Sequence, residues 1–329
     1  MKRILIDTDP GVDDALALLY ACHAPELQLE AITTVSGNVP VDVGSHNLMV
    51  VLNVVGLTPD CYPILARGES QPLIRPPVDA SEVHGQDGLG DTTTMRHIDS
   101  SLKYPAATPQ SSSQDAVDTI LEMAAQYGDE LTIAALAPLT NIAKAIIKNP
   151  TQMRRIKEIV LMGGAFNTYG NITLSAEFNI FADPHAAQIV CDSGIPLVFV
   201  PLDVTHQVQL LRDRLKSEIA NRSDLVASFL LDSTLAVTEF DSRFEDFYGT
   251  HLHDPLVMVY LTHPECFQGV FTRVDIETEG MLTQGKTVAD LRAKRLPSAP
   301  NARVLTTVET EGVLQHFYQR LLKPDFDAG

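Results

Sequence analysis

Ile4-Leu5-Ile6-Asp7-Thr8-Asp9-Pro10-Gly11-Val12-Asp13-Asp14-Ala15-Leu16-Ala17-Leu18-Leu19 is the stretch that decides the fold. The run before Asp7 is short and β-branched on both sides of Leu5, as in a buried strand. The run after Asp14 is rich in Ala and Leu and apolar almost all round, which predicts a buried helix. Pro10-Gly11 makes the turn between them. Asp7 and Asp9 then stand at the carboxyl end of a strand, and Asp13 and Asp14 in the first turn of a helix. In an open α/β sheet that crevice is where ligands bind. First-turn acids complement a helix dipole, which would account for Asp13 and Asp14 singly. Four carboxylates this close repel one another, are costly to desolvate, and have no Lys or Arg in the motif to offset them. A hard cation such as Ca²⁺ or Mg²⁺ is the natural compensation.

Working outward, strands are expected at 27–35, 62–65, 131–136, 156–162 and 197–200. Helices are expected at 41–55, 116–127, 138–147 and 184–192. The alternation implies a mainly parallel, Rossmann-like sheet with right-handed crossovers, flanked by helices on both faces. After Pro201 the pattern turns helical, at 212–220, 225–239 and 255–261. Strands return at 270–278 and 303–308, before a last helix at 311–322. No repeat or composition break marks a second domain. The expectation is one domain, 1–329, with a helical cap at 204–264 over the strand ends. Residues 66–114 dissolve into Pro, Gly, Ser and Thr, too long for an idle loop.

The chain has 329 residues and a net charge of 24 − 42 = −18, which argues against nucleic acid or an anionic membrane as partner. Cys22, Cys61, Cys191 and Cys266 form no CxxC pair and read as reduced thiols of a cytoplasmic protein. No run is long enough for a signal peptide or a membrane span.

Further polar clusters punctuate the loops: Asn38; His84-Gly85-Gln86-Asp87; Asn171, Glu177, Asn179 and Asp183; and His251, His253 and Asp254. Each has a plain reading. Asn38 could be a turn residue, His84 a solvated loop histidine, and Asp183 and Asp254 helix caps ahead of proline. Together they bring carboxylates, amides and imidazoles to one sheet edge, as an active site does. Such groups suit a polyhydroxylated ligand. A water held by a cation beside a carboxylate is a ready nucleophile for glycosidic cleavage, with His253 or His84 as the acid.

The run Asp7-Thr8-Asp9-Pro10-Gly11-Val12-Asp13-Asp14-Ala15 resembles the signature of the inosine-uridine preferring nucleoside hydrolases. So do Gly37-Asn38, His84-Gly85-Gln86-Asp87-Gly88, Leu139-Thr140-Asn141-Ile142-Ala143, Met162-Gly163-Gly164, Ala176-Glu177-Phe178-Asn179 with Asp183-Pro184, and His253-Asp254-Pro255. The resemblance implies a bound Ca²⁺ and hydrolysis of ribonucleosides to ribose and free base, in nucleoside salvage, by a homo-oligomer (tetramer or dimer). It assigns the metal to Asp9, Asp14, Asp254 and the backbone carbonyl of Leu136, and the attacking water to Asp9. Asp13, Asn38, Asn171, Glu177 and Asn179 would hold the ribose. Met162 and Phe178 would line the sugar pocket. His84 and His253 would face the base, with His253 the leaving-group acid. Purine-specific members stack the base on tryptophans and lack the histidine matching His253. This chain has His253 and no Trp, which resembles the pyrimidine-preferring or broad subgroup. Residues 238–252, with Phe247 and Tyr248, would cap the base.

Two other classes start from similar features. A phosphatase of the haloacid dehalogenase type also opens with a buried strand and DxD, but Gly11 stands where Thr or Val usually follows and no Lys is well placed for phosphate. A non-catalytic nucleoside or sugar sensor could share the scaffold.

Overall fold

The computed structural model describes residues 1–107, 115–292, 294 and 299–322. Among the described residues twelve strands are formed: β1 Lys2–Thr8, β2 Leu27–Thr34, β3 Ile64–Arg67, β4 Leu131–Ala135, β5 Glu158–Met162, β6 Leu197–Val200, β7 Gln209–Leu211, β8 Gly249–His251, β9 Phe267–Thr272, β10 Val274–Ile276, β11 Thr287–Ala289 and β12 Ala302–Val308. Eight of them form one sheet in the order β3-β2-β1-β4-β5-β6-β12-β9, parallel except where β9 runs against β12. The mixed α/β class with a mainly parallel central sheet is therefore as the sequence pattern predicts.

Chain order reverses between β1 and β4: β2 and β3 build outward on one side of β1, β4 to β6 on the other. Their carboxyl ends diverge there, which opens a crevice. Asp9 leaves β1 at that point and Leu136 leaves β4.

β1 is buried on both faces because two layers of helices need it. Ile4 and Ile6 join a core with Val12–Cys22, Val41–Val55, Leu225–Asp241, Pro255–Thr262 and Thr310–Leu322. Leu5 joins the opposite core with Ala116–Tyr127, Thr140–Lys148 and Pro184–Asp192. The helix Val12–Cys22 is apolar all round because both of its sides are covered, with Leu16, Leu18 and Leu19 at most 1% exposed. Each such side chain contributes about 1.5–3 kcal/mol by burial.

Several boundaries shift for local reasons. The third strand starts at Ile64, after Pro63 and the tight turn Pro59–Cys61. The expected 138–147 helix begins at Thr140, because Pro138 sits in a preceding turn whose carbonyl accepts from Thr140 N. The expected 270–278 strand breaks at Arg273, where β9 leaves the main sheet and β10 pairs with β11 instead. Residues 204–264 are not purely helical: β7 and β8 pair antiparallel within them. Nor is Pro255–Thr262 a cap element, since it is buried in the core against Val12–Cys22.

The long 66–114 stretch, of which 108–114 lie outside the described residues, is built around Asp87. Its Oδ1 accepts from Leu89 N and Asp91 N, and its Oδ2 from Thr93 N and Thr93 Oγ1. Gly88 sits at φ +81°, and a Cβ there would lie 2.5 Å from Val39 Cγ1. His84-Gly85-Gln86-Asp87-Gly88 is thus a folded clamp. No helix among the described residues is long and apolar enough to cross a membrane, and the four cysteines are free.

Asn141, fully buried, ties three strands: Nδ2 donates to Asp7 Oδ1 (2.8 Å) and Thr34 O (3.0 Å), and Oδ1 accepts from Glu69 N (3.0 Å). Asn141→Ala strands three buried polar groups and is expected to lower stability by about 2–4 kcal/mol. Urea unfolding at unchanged m-value measures it; a loss below ~0.5 kcal/mol would reject this role for the amide.

Candidate active site

Asp7 is separated from the other acids of the motif because it still lies within β1, which ends at Thr8. It points into the sheet, where Thr33 Oγ1 (2.6 Å) and Asn141 Nδ2 hold its Oδ1, and burial pushes its pKa up to about 7. A dehalogenase-type phosphatase would need this residue as nucleophile; here it is sealed inside.

Asp9 lies past the strand end. Its Oδ2 accepts from Asn38 N at 2.6 Å, while its Oδ1 is buried without a partner. The neighbouring Gly37 has to be glycine, because a Cβ would come within 1.9 Å of Asp9 Oδ2. Asn38 is therefore more than a turn residue: its backbone meets Asp9 and its Nδ2 donates to Asp14 Oδ2 at 3.0 Å.

Asp14 combines two tasks. It is the third residue of the helix and accepts from Gly11 N (3.0 Å), as a first-turn acid does. Its carboxylate also takes the Thr8 hydroxyl and Asp9 N. Asp254 precedes Pro255 at a helix start, yet its side chain makes no capping bond. It turns instead toward Asp13 and Asp14. One carboxylate oxygen from each of Asp13, Asp14 and Asp254 lies within 4.8 Å of the others. That grouping takes in Asp13, assigned to ribose by the resemblance, and leaves out Asp9. Burial, followed by the neighbouring acids, holds the Asp9 and Asp254 carboxyls well above the usual range. Burial likewise raises Asp13 to about 6. Among the described residues the basic side chain within 4 Å of these acids is His84, whose Nδ1 stands 3.9 Å from Asp13 in a neutral ring.

This environment fits a hard cation. The donors are all oxygen, no ammonium or guanidinium among the described residues is paired with them, and buried oxygens of Asp9 and Asp13 are unpartnered. The Leu136 carbonyl at the end of β4 accepts from Asn179 Nδ2 at 2.8 Å and keeps its second lone pair.

The opposite wall comes from residues 162–183. Glu177 caps the short helix Phe178–Ala182: its oxygens accept from Gly164 N (3.0 Å), Asn179 N (2.8 Å) and Ile180 N (3.2 Å), and burial raises its pKa to about 7. Asn179 spends its amide hydrogens on Leu136 O and Met162 O, leaving Oδ1 for a ligand. Met162 and Phe178 are buried beside it. Asn171 is exposed, and its Oδ1 accepts from Phe178 N. Asp183 is the helix cap that the Asp-Pro pair suggests, accepting from Ala186 N.

Two histidines approach from different elements. His84 is not on a free loop. It is buried at the end of Ser81–His84, and its Nδ1 accepts from Val12 N at 3.1 Å, which puts the hydrogen on Nε2. Burial pushes its pKa down to about 4. His253 Nδ1 meets Thr205 Oγ1 at 2.9 Å. Its ring stands near His206 and His251, with centroids 5.8 and 5.9 Å away, and Phe247 packs edge-on against His251 at 5.0 Å. Burial lowers His251 to about 4, and both of its ring nitrogens are buried without partners. Tyr248 is 48% exposed. Sequence reading missed Thr205 and His206, which no local pattern links to position 253; only the β7–β8 pairing brings those segments together.

A family model described as inosine-uridine preferring nucleoside hydrolase matches residues 4–315. The pyrimidine-specific ribonucleoside hydrolase RihA of Photobacterium profundum is 38% identical, covering 97% of this chain and 98% of its own. Uridine nucleosidase 1 of Arabidopsis thaliana is 34% identical over 98% of this chain and 94% of its own. A solved plant nucleoside hydrolase superposes with a TM-score of 0.87 at 30% identity, over 98% of this chain and 99% of that one. With a match along nearly the whole chain and a carboxylate-lined crevice at its centre, this chain belongs to the inosine-uridine preferring nucleoside hydrolase family.

Proposed function

We propose that the protein hydrolyses pyrimidine ribonucleosides of the uridine and cytidine type, with inosine in reach, using Ca²⁺ as its resident ion. The observation that carries this reading is the group of the part-buried Asp13 with the buried Asp14 and Asp254, beside the unpartnered oxygen of Asp9. The base preference is supported by the named activities of the two relatives, by His253, and by the lack of any Trp to stack a purine.

The carboxylates of Asp9, Asp14 and Asp254 and the carbonyl of Leu136 would hold the ion, which when bound would polarise a water and sugar hydroxyls. Asp9 Oδ1 accepts the proton of the attacking water. Asp13, Asn38, Asn179 Oδ1 and Asn171 take the ribose hydroxyls. Glu177 sets negative charge near the ring as it gains oxocarbenium character. Met162 and Phe178 cover the sugar and exclude water. As the new C–O bond forms at the anomeric carbon, the C–N bond breaks and its electron pair leaves with the base. His253, as an imidazolium with Nδ1–H donating to Thr205 Oγ1, gives the base its Nε2 proton and returns to the neutral ring that burial and the neighbouring histidines favour. His84 Nε2–H faces the ligand as a fixed donor, so its loss also loosens the helix start at Val12.

Release of base from a nucleoside panel, with and without chelator, tests the whole reading. Asp9→Ala and Asp14→Ala are expected to abolish turnover and lower bound Ca²⁺; full activity in metal-free protein would overturn the metal's part. A site built to bond hydroxyls rejects analogues lacking them, so uridine should exceed 2′-deoxyuridine by roughly a hundredfold or more. Equal rates would remove Asp13 and Asn38 from the 2′-hydroxyl. His253→Ala should lower kcat on uridine by about 10²–10⁴-fold and far less on 4-nitrophenyl riboside, whose leaving group needs no proton. Equal losses on both substrates would reject the acid role.

A further inference from the structure

A second set of metal-ligating side chains lies at the far end of Pro255–Thr262. His263 follows the last residue of that helix, Glu265 sits in the tight turn Pro264–Cys266, and His316 comes from Thr310–Leu322. One ligand atom of each lies within 4.8 Å of the others. The two imidazoles stack, with centroids 3.5 Å apart and planes at 20°. We propose that His263, Glu265 and His316 form a binding site for a divalent transition cation of the zinc class, separate from the acidic crevice.

The donor set selects the ion. Two imidazoles and one carboxylate suit a borderline cation, whereas Ca²⁺ and Mg²⁺ call for oxygen throughout. Three protein ligands leave a fourth position for solvent, as in open zinc sites. A tetrahedron with metal–nitrogen bonds of about 2.05 Å spaces its donors by roughly 3.3 Å. Stacked rings point their nitrogens in nearly parallel planes, so binding requires one imidazole to turn out of the stack; both histidines are only part-buried and Glu265 is exposed, which leaves room for that rotation.

The tautomers are also suited. Thr262 Oγ1 gives its hydrogen to the Met258 carbonyl (3.0 Å), so at its contact with His263 Nδ1 (2.9 Å) the imidazole donates. That leaves His263 Nε2 as a lone pair, and a hydroxyl behind the ring is the support that ligating histidines receive. His316 has no hydrogen bond to compete with a metal among the described residues. Burial and the facing His316 ring lower the pKa of His263, which favours the neutral form that ligates. The site also lies at a helix carboxyl end, where the dipole favours cations.

The two metal-binding groups bracket one helix. Asp254 precedes it and His263 follows it, 263 − 254 = 9 positions apart, which at about 1.5 Å per residue separates them by on the order of 13 Å. One ion therefore cannot serve both. A cation at His263 would join the end of this core helix to the last helix of the chain.

The test is Zn²⁺ titration of the full-length protein against a competing chromophoric chelator, with excess Ca²⁺ to occupy the acidic crevice. Co²⁺ substitution reports coordination through its ligand-field absorption. Wild type is expected to bind one Zn²⁺, to show tetrahedral Co²⁺ bands, and to gain thermal stability with Zn²⁺. His316→Ala, part-exposed and unlinked by hydrogen bonds, should weaken Zn²⁺ binding roughly tenfold or more and abolish the bands and the stabilisation. Glu265→Ala should weaken it as well, while Asp14→Ala should leave it intact. Failure of wild type to bind Zn²⁺ beside Ca²⁺, or an affinity that falls in Asp14→Ala but not in His316→Ala, would overturn the proposal.

Discussion

Asp13, Asp14 and Asp254 group at one sheet edge beside the buried Asp9, and among the described residues no ammonium or guanidinium is paired to them. An ionised carboxylate costs several kcal/mol to desolvate even after relaxation, and like charges add to that. No arrangement of the protein's own groups seen here offsets it. Backbone and amide donors spread over Asp9 and Asp14 reduce the penalty without removing it, as the raised carboxyl pKa values indicate. The remaining surplus of negative charge is what gives the site affinity for a cation, and the rest of the fold keeps that surplus from relaxing.

It does so by position. β1 is buried on both faces, and its end lies where strand order reverses, so Asp9 cannot move without disturbing two cores. Gly37 admits the Asp9 carboxylate against backbone, and Asn38 then reaches both Asp9 and Asp14. The Asp87 clamp seats His84 over the first turn of the helix, where it accepts Val12 N. Each contact fixes a rotamer of an acid that electrostatics alone would drive outward.

Much of this was legible in the sequence because the strand–DxDPGxDD–helix stretch carries both a period and a chemistry. Its apolar runs announce a central strand and a buried helix, and its acids announce a site. The Val41–Val55 and Ala116–Tyr127 helices kept their expected limits because their apolar stripes are long. What was illegible was short or non-local. β7, β8 and β11 have three residues each, too few for a period to declare itself. Asp7 and Asp9 look equivalent in sequence, and only the end of β1 at Thr8 leaves one held inside the sheet by Thr33 and Asn141 and the other beyond it. Glycines around His84 suggested freedom, whereas at positive φ they let the chain double back and bury it.

Asp254 carries the last step. An aspartate before proline at a helix start would ordinarily cap that helix, and here the cap bond is missing. Pro255 makes this affordable, since it lacks one of the N–H groups that a cap would satisfy. The helix is instead held by its buried surroundings, with Leu256, Val257, Met258 and Val259 fully covered. Burial thus stabilises what capping does not, and the freed carboxylate joins Asp13 and Asp14. The same backbone carries His253 to Thr205, so the acid cluster and that imidazole are set by a single element. A shift of that helix would move both together.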